Sequence, residues 1–304
     1  MLVVMALGGN ALLRRGEPLD VEVQRRNLAN AVTRAIAPVA RRHAAVITHG
    51  NGPQVGLLAL QAAAYKDVKS YPLDVLGAES EGMIGYLIEQ ALANELPERE
   101  IATLLTQVEV DPSDPAFGKP TKPIGPVYDE AEAQVLAART GWTLVRDGRG
   151  FRRAVPSPDP RRIREINTIR LLVRAGTLVI CAGGGGIPVV TGADGAIRGV
   201  EAVIDKDLSA ALLAEEIGAD ALLLLTDVKA VWSRWPQSTG EPIRRSRPAA
   251  LRALSLDPGS MGPKVEAACR FVERTGRTAA IGAMEQADAV LAGTAGTTVV
   301  ADPG

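Results

Sequence analysis

The chain has 304 residues, 46% of them hydrophobic and 23% charged, with a formal net charge of -1 at pH 7. That suffices for a substantial core, as one large α/β domain or two smaller ones, and with neither a basic stripe nor a block of like charge it gives no reason to expect nucleic acid or membrane as partner. No run approaches the roughly 20 apolar residues of a membrane span, and two cysteines, Cys181 and Cys269, are too few for a disulfide framework or a zinc site.

The scarcity of cysteine fits a reducing cytoplasm, and residues 1–7 (MLVVMAL), too short and without the basic segment of a leader, read as a first core strand. This apolar run stops at Gly8, Gly9 and Asn10. Buried parallel strands read as uninterrupted apolar runs, and their carboxyl ends open into the crevice where α/β proteins bind ligands. The pattern recurs where 44–48 enters His49-Gly50-Asn51-Gly52 and where 177–182 enters Gly183, Gly184, Gly185 and Gly186. Glycine lets the backbone approach a ligand and turn its N–H groups onto an anion. Three such turns predict one large anion, or two that meet.

Between the first two turns, Leu28, Val32, Ala35, Ile36 and Val39 repeat at helical spacing, and 74–96 carries a second helical pattern. Residues 101–108 read as one strand, proline and glycine crowd 112–126, 129–139 is helical, and 142–155 suits an exposed hairpin turned at Asp147-Gly148. These features place an inserted subdomain at about 117–158. Helix resumes over 161–174, followed by strand 177–182, helix 206–217, strand 221–226, a helix from Pro263 to 274, and strands around Ala279 and Val299. Such alternation predicts a mainly parallel sheet with helices on both faces.

Only seven of the 34 basic residues are lysines, so a lysine that persists suggests a need for a compact point charge. Asp205-Lys206-Asp207 opens the helix over 206–217. It reads either as an aspartate cap with a solvated lysine, or as a lysine aimed at a transferring phosphoryl group and oriented by Asp207. Lys264 follows Pro263, a natural first helical residue, and so stands against a helix field that disfavours cations by roughly 0.3–1 kcal/mol; either a phosphate bound there explains it or the lysine leans out into solvent. Lys122, within the stiff PTKPIGP stretch, either reaches over a site or sits in a plain connection.

Other chemistries lack material. No G-x-x-x-x-G-K-[ST] occurs, and the 183–186 turn runs into Ile187-Pro188 rather than a helix. The AESEG segment at 78–82 approaches a nucleophile elbow but lies in a helical pattern, so Ser80 reads as structural. His43 and His49 are the two histidines, with His49 open as a base or as a residue that holds its turn. Phosphoryl transfer, by contrast, needs mainly positioning and positive charge.

Eight segments, VMALGGNAL (4–12), THGNGPQVG (48–56), PLDVLGAESEGMIGYLI (72–88), KPIGP (122–126), VPSP (155–158), ICAGGGGIPV (180–189), GVEAVIDKDL (199–208) and GSMGPKVEAACRF (259–271), resemble the carbamate kinases of the amino-acid kinase superfamily. The resemblance spans essentially the whole chain. It implies one amino-acid kinase domain, a three-layer α/β/α sandwich with a mainly parallel central sheet and a small protruding subdomain, in a cytoplasmic homodimer. It also implies reversible phosphoryl transfer between ATP and carbamate with Mg2+, giving ADP and carbamoyl phosphate, used in arginine metabolism to make ATP.

Carried onto matching positions, Gly8, Gly9, Asn10, Gly50, Asn51 and Gly52 would hold the carbamoyl phosphate end, flanked by Gly183, Gly184, Gly185 and Gly186. Lys206 and Lys264 would stabilise the transferring group, Asp207 would orient them, and Lys122 would reach in from the insert. Thr226, Asp227, Trp232, Met261 and Gly262, with Lys264, would line the nucleotide pocket. Residues 1–182 would thus form a carbamate lobe and 183–304 a nucleotide lobe. Magnesium would be held mainly by phosphates rather than by a dedicated protein site, with Asp207 and Asp227 as candidate carboxylates. Lys229, Trp232 and Glu81 stand where the family pattern has Asp, Tyr and Gln. Other small-acid kinases of the superfamily, and a non-catalytic ATP or amino-acid sensor, are the alternative readings; Lys206 and Lys264 argue against the sensor.

Overall fold

The computed structural model describes residues 1–14, 16–65, 69–148, 150–234, 240–257 and 259–301, with Asn10 through its backbone only. Its frame is an eight-stranded sheet. In spatial order the strands are Arg245–Ser246, Thr297–Val299, Thr278–Ala283, Ala221–Thr226, Leu2–Leu7, Ala44–His49, Leu178–Ile180 and Ile101–Thr103. The six from Thr278–Ala283 onward are mutually parallel, while Thr297–Val299 pairs antiparallel at one end.

Side chains alternate across each strand, so one apolar run serves two cores. Val4, Ala6, Leu222 and Leu224 face helices Ile166–Arg174, Lys206–Ile217 and Met261–Thr275. Val3, Met5, Leu7, Leu223 and Leu225 face helices Val21–Ala31 and Leu73–Glu95 and the helical stretch between 32 and 40. Ala221–Thr226 lies mid-sheet with all six residues buried, which explains its lack of polar alternation. Among the described residues no helix is long and apolar enough to cross a membrane.

Two smaller sheets complete the molecule. Strands Ile197–Gly199, Ile187–Thr191, Gln107–Val110 and Pro160–Ile163 form one; Lys122–Tyr128, Gly150–Val155 and Leu144–Asp147 form an antiparallel other, accompanied by helix Glu130–Thr140. Asp129 caps that helix in a reciprocal capping box with Glu132. A small apolar cluster of Val55, Ala59, Leu73, Leu76, Ile124, Val155 and Val203 ties this three-stranded unit to the body. At the junction Gly56 lies against Gly125, so a Cβ on Gly56 would stand 1.9 Å from the Gly125 Cα.

Three expected elements have different bounds. The strand expected over 101–108 is two strands in two sheets. Its neighbour Leu178–Ile180 ends where the third glycine turn begins, so the chain leaves the main sheet and pairs its 107–110 segment with the strand that follows that turn. The helix expected from 161 begins at Ile166. Before it, Pro160–Ile163 extends along 107–110, and the Glu165 carboxylate accepts hydrogen bonds from the Gln107 backbone N–H (2.8 Å) and amide (3.0 Å). The last long helix starts at Met261, so Pro263 is its third residue and Lys264 its fourth.

Candidate active site

All three glycine turns lie at the carboxyl edge of the parallel sheet, and close packing brings them together. A Cβ on Gly50 would lie 3.3 Å from the Cδ and Cε of Lys206 and 3.7 Å from the Gly9 Cα. The Lys206 stem therefore crosses the second turn beside the first. A Cβ on Gly184 would lie 2.1 Å from the Asn51 amide nitrogen, which binds the third turn to the second.

Not every turn glycine has an N–H to offer. Gly8 donates to Leu225 O within the sheet, Gly183 to Glu81 Oε1, Gly185 to Ala182 O and Gly186 to Gly183 O. None of these four has room for a side chain: a Cβ would approach Leu225 O to 2.9 Å at Gly8, His49 Nε2 to 2.3 Å at Gly183, Ile204 O to 2.4 Å at Gly185 and Val108 Cγ2 to 2.3 Å at Gly186, and Gly185 and Gly186 also hold positive φ, of 98° and 86°. The N–H groups of Gly9, Gly50, Gly52 and Gly184 carry no hydrogen bond among the described residues. Asn10's side chain lies outside the described residues. The Asn51 amide is turned inward, donating to Ser80 Oγ at 2.8 Å.

Over these turns stands a buried charge cluster. Asp205 caps helix Lys206–Ile217, its Oδ1 accepting from the N–H groups of Asp207 (2.9 Å) and Leu208 (3.4 Å). Lys206 Nζ donates to Asp207 Oδ1 at 2.7 Å, and Lys264 Nζ, from the first turn of helix Met261–Thr275, donates to Asp207 Oδ2 at 2.9 Å. Both lysine side chains are largely enclosed, so neither is the solvated cation of the plainer reading. From the protruding sheet, Lys122 Nζ pairs with Asp205 Oδ2 at 2.8 Å. Lys206, Lys264, Lys122 and Asp207 therefore belong to one network.

Burial pushes Lys206 down to about 8 against the pull of Asp207, with Lys264 adding to the fall. Burial works against Lys264 too, but Asp207 outweighs it and holds this lysine above its ordinary value. Asp207 would rise on burial alone; its two lysines keep it low. The cluster thus holds its charges by mutual pairing.

Beneath the third turn lies a layer that the sequence pattern did not single out as functional. Glu81, almost wholly buried, accepts from Gly183 N–H (2.8 Å) and Thr106 N–H (3.2 Å), while Thr106 Oγ1 accepts from Ala182 N–H (2.9 Å) and Thr48 Oγ1 donates to Ala182 O (3.2 Å). Ala182 is the one non-glycine with positive φ among the described residues, and this grip keeps it there. Burial raises Glu81 to about 8 despite its two N–H donors. His49 shares the layer. Its Nδ1 lies 3.1 Å from Gly50 O and so donates, while Nε2 is buried without a partner against Gly183. Burial drops His49 to about 4. Through that hydrogen bond it holds its turn. Arg152, also unanticipated, donates to Gly125 O (2.8 Å) and brings Nη2 within 3.9 Å of a Cβ on Gly52.

On the nucleotide side, Thr226 ends its strand and donates to Asp227 Oδ1 at 3.1 Å. Thr297 Oγ1 then fastens the following loop, accepting from Val231 N–H and donating to Ile243 O. Trp232 closes a bridge with Pro242, and its indole N–H is buried without a partner among the described residues. Met261 and Gly262 open the helix that carries Lys264, with Gly262 N–H on Asp257 O at 2.8 Å. No three metal-ligating side chains converge among the described residues. Asp207 spends an oxygen on each lysine, whereas exposed Asp227 keeps an oxygen free of side-chain hydrogen bonds among the described residues.

A parallel sheet with anion-binding turns at its carboxyl edge and lysines on adjoining helices defines a class. The family model described as the amino acid kinase family matches residues 1–283, and the chain belongs to that family. A carbamate kinase of Rhizobium meliloti (strain 1021) is 56% identical over 302 residues, covering 98% of this chain and 93% of that protein. One of Haemophilus influenzae is 53% identical over 300 residues, covering 98% and 96%. The solved carbamate kinase from Giardia lamblia bound to AMP-PNP superposes with a TM-score of 0.88 at 40% identity, covering 99% of this chain and 98% of that one. Within its family the chain belongs with the carbamate kinases, not with another small-acid kinase or a sensor.

Proposed function

We propose that Lys206 and Lys264, held side by side by Asp207, stabilise the phosphoryl group as it passes between ATP and carbamate. The reaction is that of the carbamate kinases, reversible transfer giving ADP and carbamoyl phosphate. The observation that carries this assignment is the single buried carboxylate that fixes two ammonium groups from two helices, at 2.7 and 2.9 Å, beside the glycine turns.

A carbamate oxygen attacks the γ-phosphorus as the bond to the bridging oxygen breaks, and ADP leaves with the electron pair. One P–O bond forms and one breaks. Carbamate is already an anion, so no base need remove a proton, which suits a site whose histidine is buried and neutral. The barrier lies in bringing two anions together. Lys206, Lys264 and the N–H groups of Gly9, Gly50, Gly52 and Gly184, which have no partner among the described residues, oppose that repulsion, with Lys122 reaching the same group from the protruding sheet.

Residues 1–182 would serve the carbamate end and 183–304 the nucleotide, lined by Thr226, Asp227, Trp232, Met261 and Gly262. Magnesium, held mainly by the nucleotide phosphates, would neutralise phosphate charge when bound, and Asp227 is the carboxylate with an oxygen available to it. A homodimer accords with the exposed apolar residues Val75, Met83 and Tyr86 on helix Leu73–Glu95 and with exposed Leu105, which lies near Gly82 of the same helix and follows the edge strand Ile101–Thr103.

ADP formation from ATP should be supported by carbamate and not by acetylglutamate, glutamate or aspartate. Turnover with one of those acids in place of carbamate would contradict the substrate assignment.

A further inference from the structure

We propose that Asp205 is the resting partner of Lys122: it holds this lysine at the mouth of the phosphoryl site until an anion arrives, and then yields it to the anion. The proposal rests on the reading above that Lys122 acts on the transferring group.

Three features support it. First, the pair joins two separately built parts, since Lys122 begins a strand of the protruding sheet and Asp205 caps a helix of the body. Second, the carboxylate is fixed before Lys122 reaches it. Oδ1 is tied to the N–H groups of Asp207 and Leu208, which leaves Oδ2 as a stationary acceptor at 2.8 Å from Nζ. Third, Lys122 can leave at modest cost. Its side chain is 23% exposed, and Asp205 would keep its two N–H donors and its neighbour Lys206. A second pair, Arg153 with Glu201 at 3.9 Å, spans the same junction, so the sheet does not depend on Lys122 for its attachment.

A carboxylate so placed competes with the substrate. Dianionic carbamoyl phosphate must win Lys122 from Asp205, whereas a site with no charge at 205 would give the lysine up freely. Asp205 therefore lowers the resting affinity for the anion while keeping Lys122 within reach. It is a positioning residue, acting through Lys122.

The test is a double-mutant cycle in the ATP-forming direction. Asp205→Asn keeps a capping oxygen and removes the charge; Asp205→Ser does the same with a different side chain, and both are read alongside their melting temperatures. KM for carbamoyl phosphate should fall by about fivefold in either variant, the scale of a partly exposed ion pair, while KM for ADP stays unmoved. In a Lys122→Ala background the same substitutions should lower KM for carbamoyl phosphate much less, through the remaining effect of the Asp205 charge on Lys206 and Lys264. A KM that stays constant or rises in the single variants, or an equal fall without Lys122, would overturn the proposal. If Lys122→Ala alone altered neither kcat nor KM, the underlying reading of Lys122 would fail instead, which is a separate result.

Discussion

Lys206 is the residue whose charge is most exposed to pH. Burial brings it to about 8, while Lys264, on the same carboxylate, is held up. Because the charged form is the one that opposes phosphate repulsion, kcat/KM for carbamoyl phosphate should fall along an alkaline limb with an apparent pKa near 8. Lys206→Arg, charged throughout, should be slower but lose that limb; an unchanged limb would assign it to another group. Glu81 gives a second pH effect, on stability. Its folded value of about 8 lies above the ordinary 4.5, so the folded state binds its proton more tightly. That contribution is complete below pH 4.5 and is lost as pH rises through 8. Glu81→Gln, which keeps the neutral shape, should melt near the wild-type temperature at pH 4 and increasingly above it as pH rises towards 9, as differential scanning calorimetry would register.

At the scale of elements, the strands and their glycine turns were legible because a strand buried on both faces permits nothing but apolar residues, as in Ala221–Thr226. The 206–217 helix announced itself through its aspartate cap. What the turns do was only half legible. Glycine was read as a way to present N–H groups, yet Gly8, Gly183, Gly185 and Gly186 spend theirs internally and have no room for a side chain, because Leu225 O, His49, Ile204 O and Val108 crowd them. That crowding comes from segments distant in sequence, as does the pairing that splits 101–108 between two sheets. Glu81 looked like one more polar residue in a helix; its place under the third turn depends on how that helix crosses the sheet.

The junction of helix Gly52–Ala64 with the protruding sheet gives an element-scale prediction. Gly56→Ala places a methyl 1.9 Å from the Gly125 Cα, so helix and sheet must separate. Overpacking of this kind costs about 1–3 kcal/mol. The variant should melt lower and turn over more slowly, because Lys122 rides on the displaced strand. Thermal unfolding and steady-state rates together check this, and unchanged values in both would show that the junction gives way without moving Lys122.

Over the whole molecule, one sheet separates two cores and gathers the carboxyl ends of its parallel strands at a single edge, and the charged network spans that edge. Asp207 joins helices Lys206–Ile217 and Met261–Thr275, and Asp205 joins the body to the protruding sheet. The apolar face around Tyr86 lies on a different part of helix Leu73–Glu95 from the buried side that carries Glu81. For the homodimer proposed above, Tyr86→Glu should therefore shift sedimentation towards the monomer, and a variant that sediments like the wild type would remove this face as the contact.

The central claim is that paired lysines, rather than a base or a covalent intermediate, carry the transfer. Its most direct test is the initial rate of ATP formation from carbamoyl phosphate and ADP by Lys206→Ala at saturating substrate. Its kcat should fall by about a hundredfold, the size of one strong contact made to the transition state. A folded variant that forms ATP at the wild-type rate would contradict it.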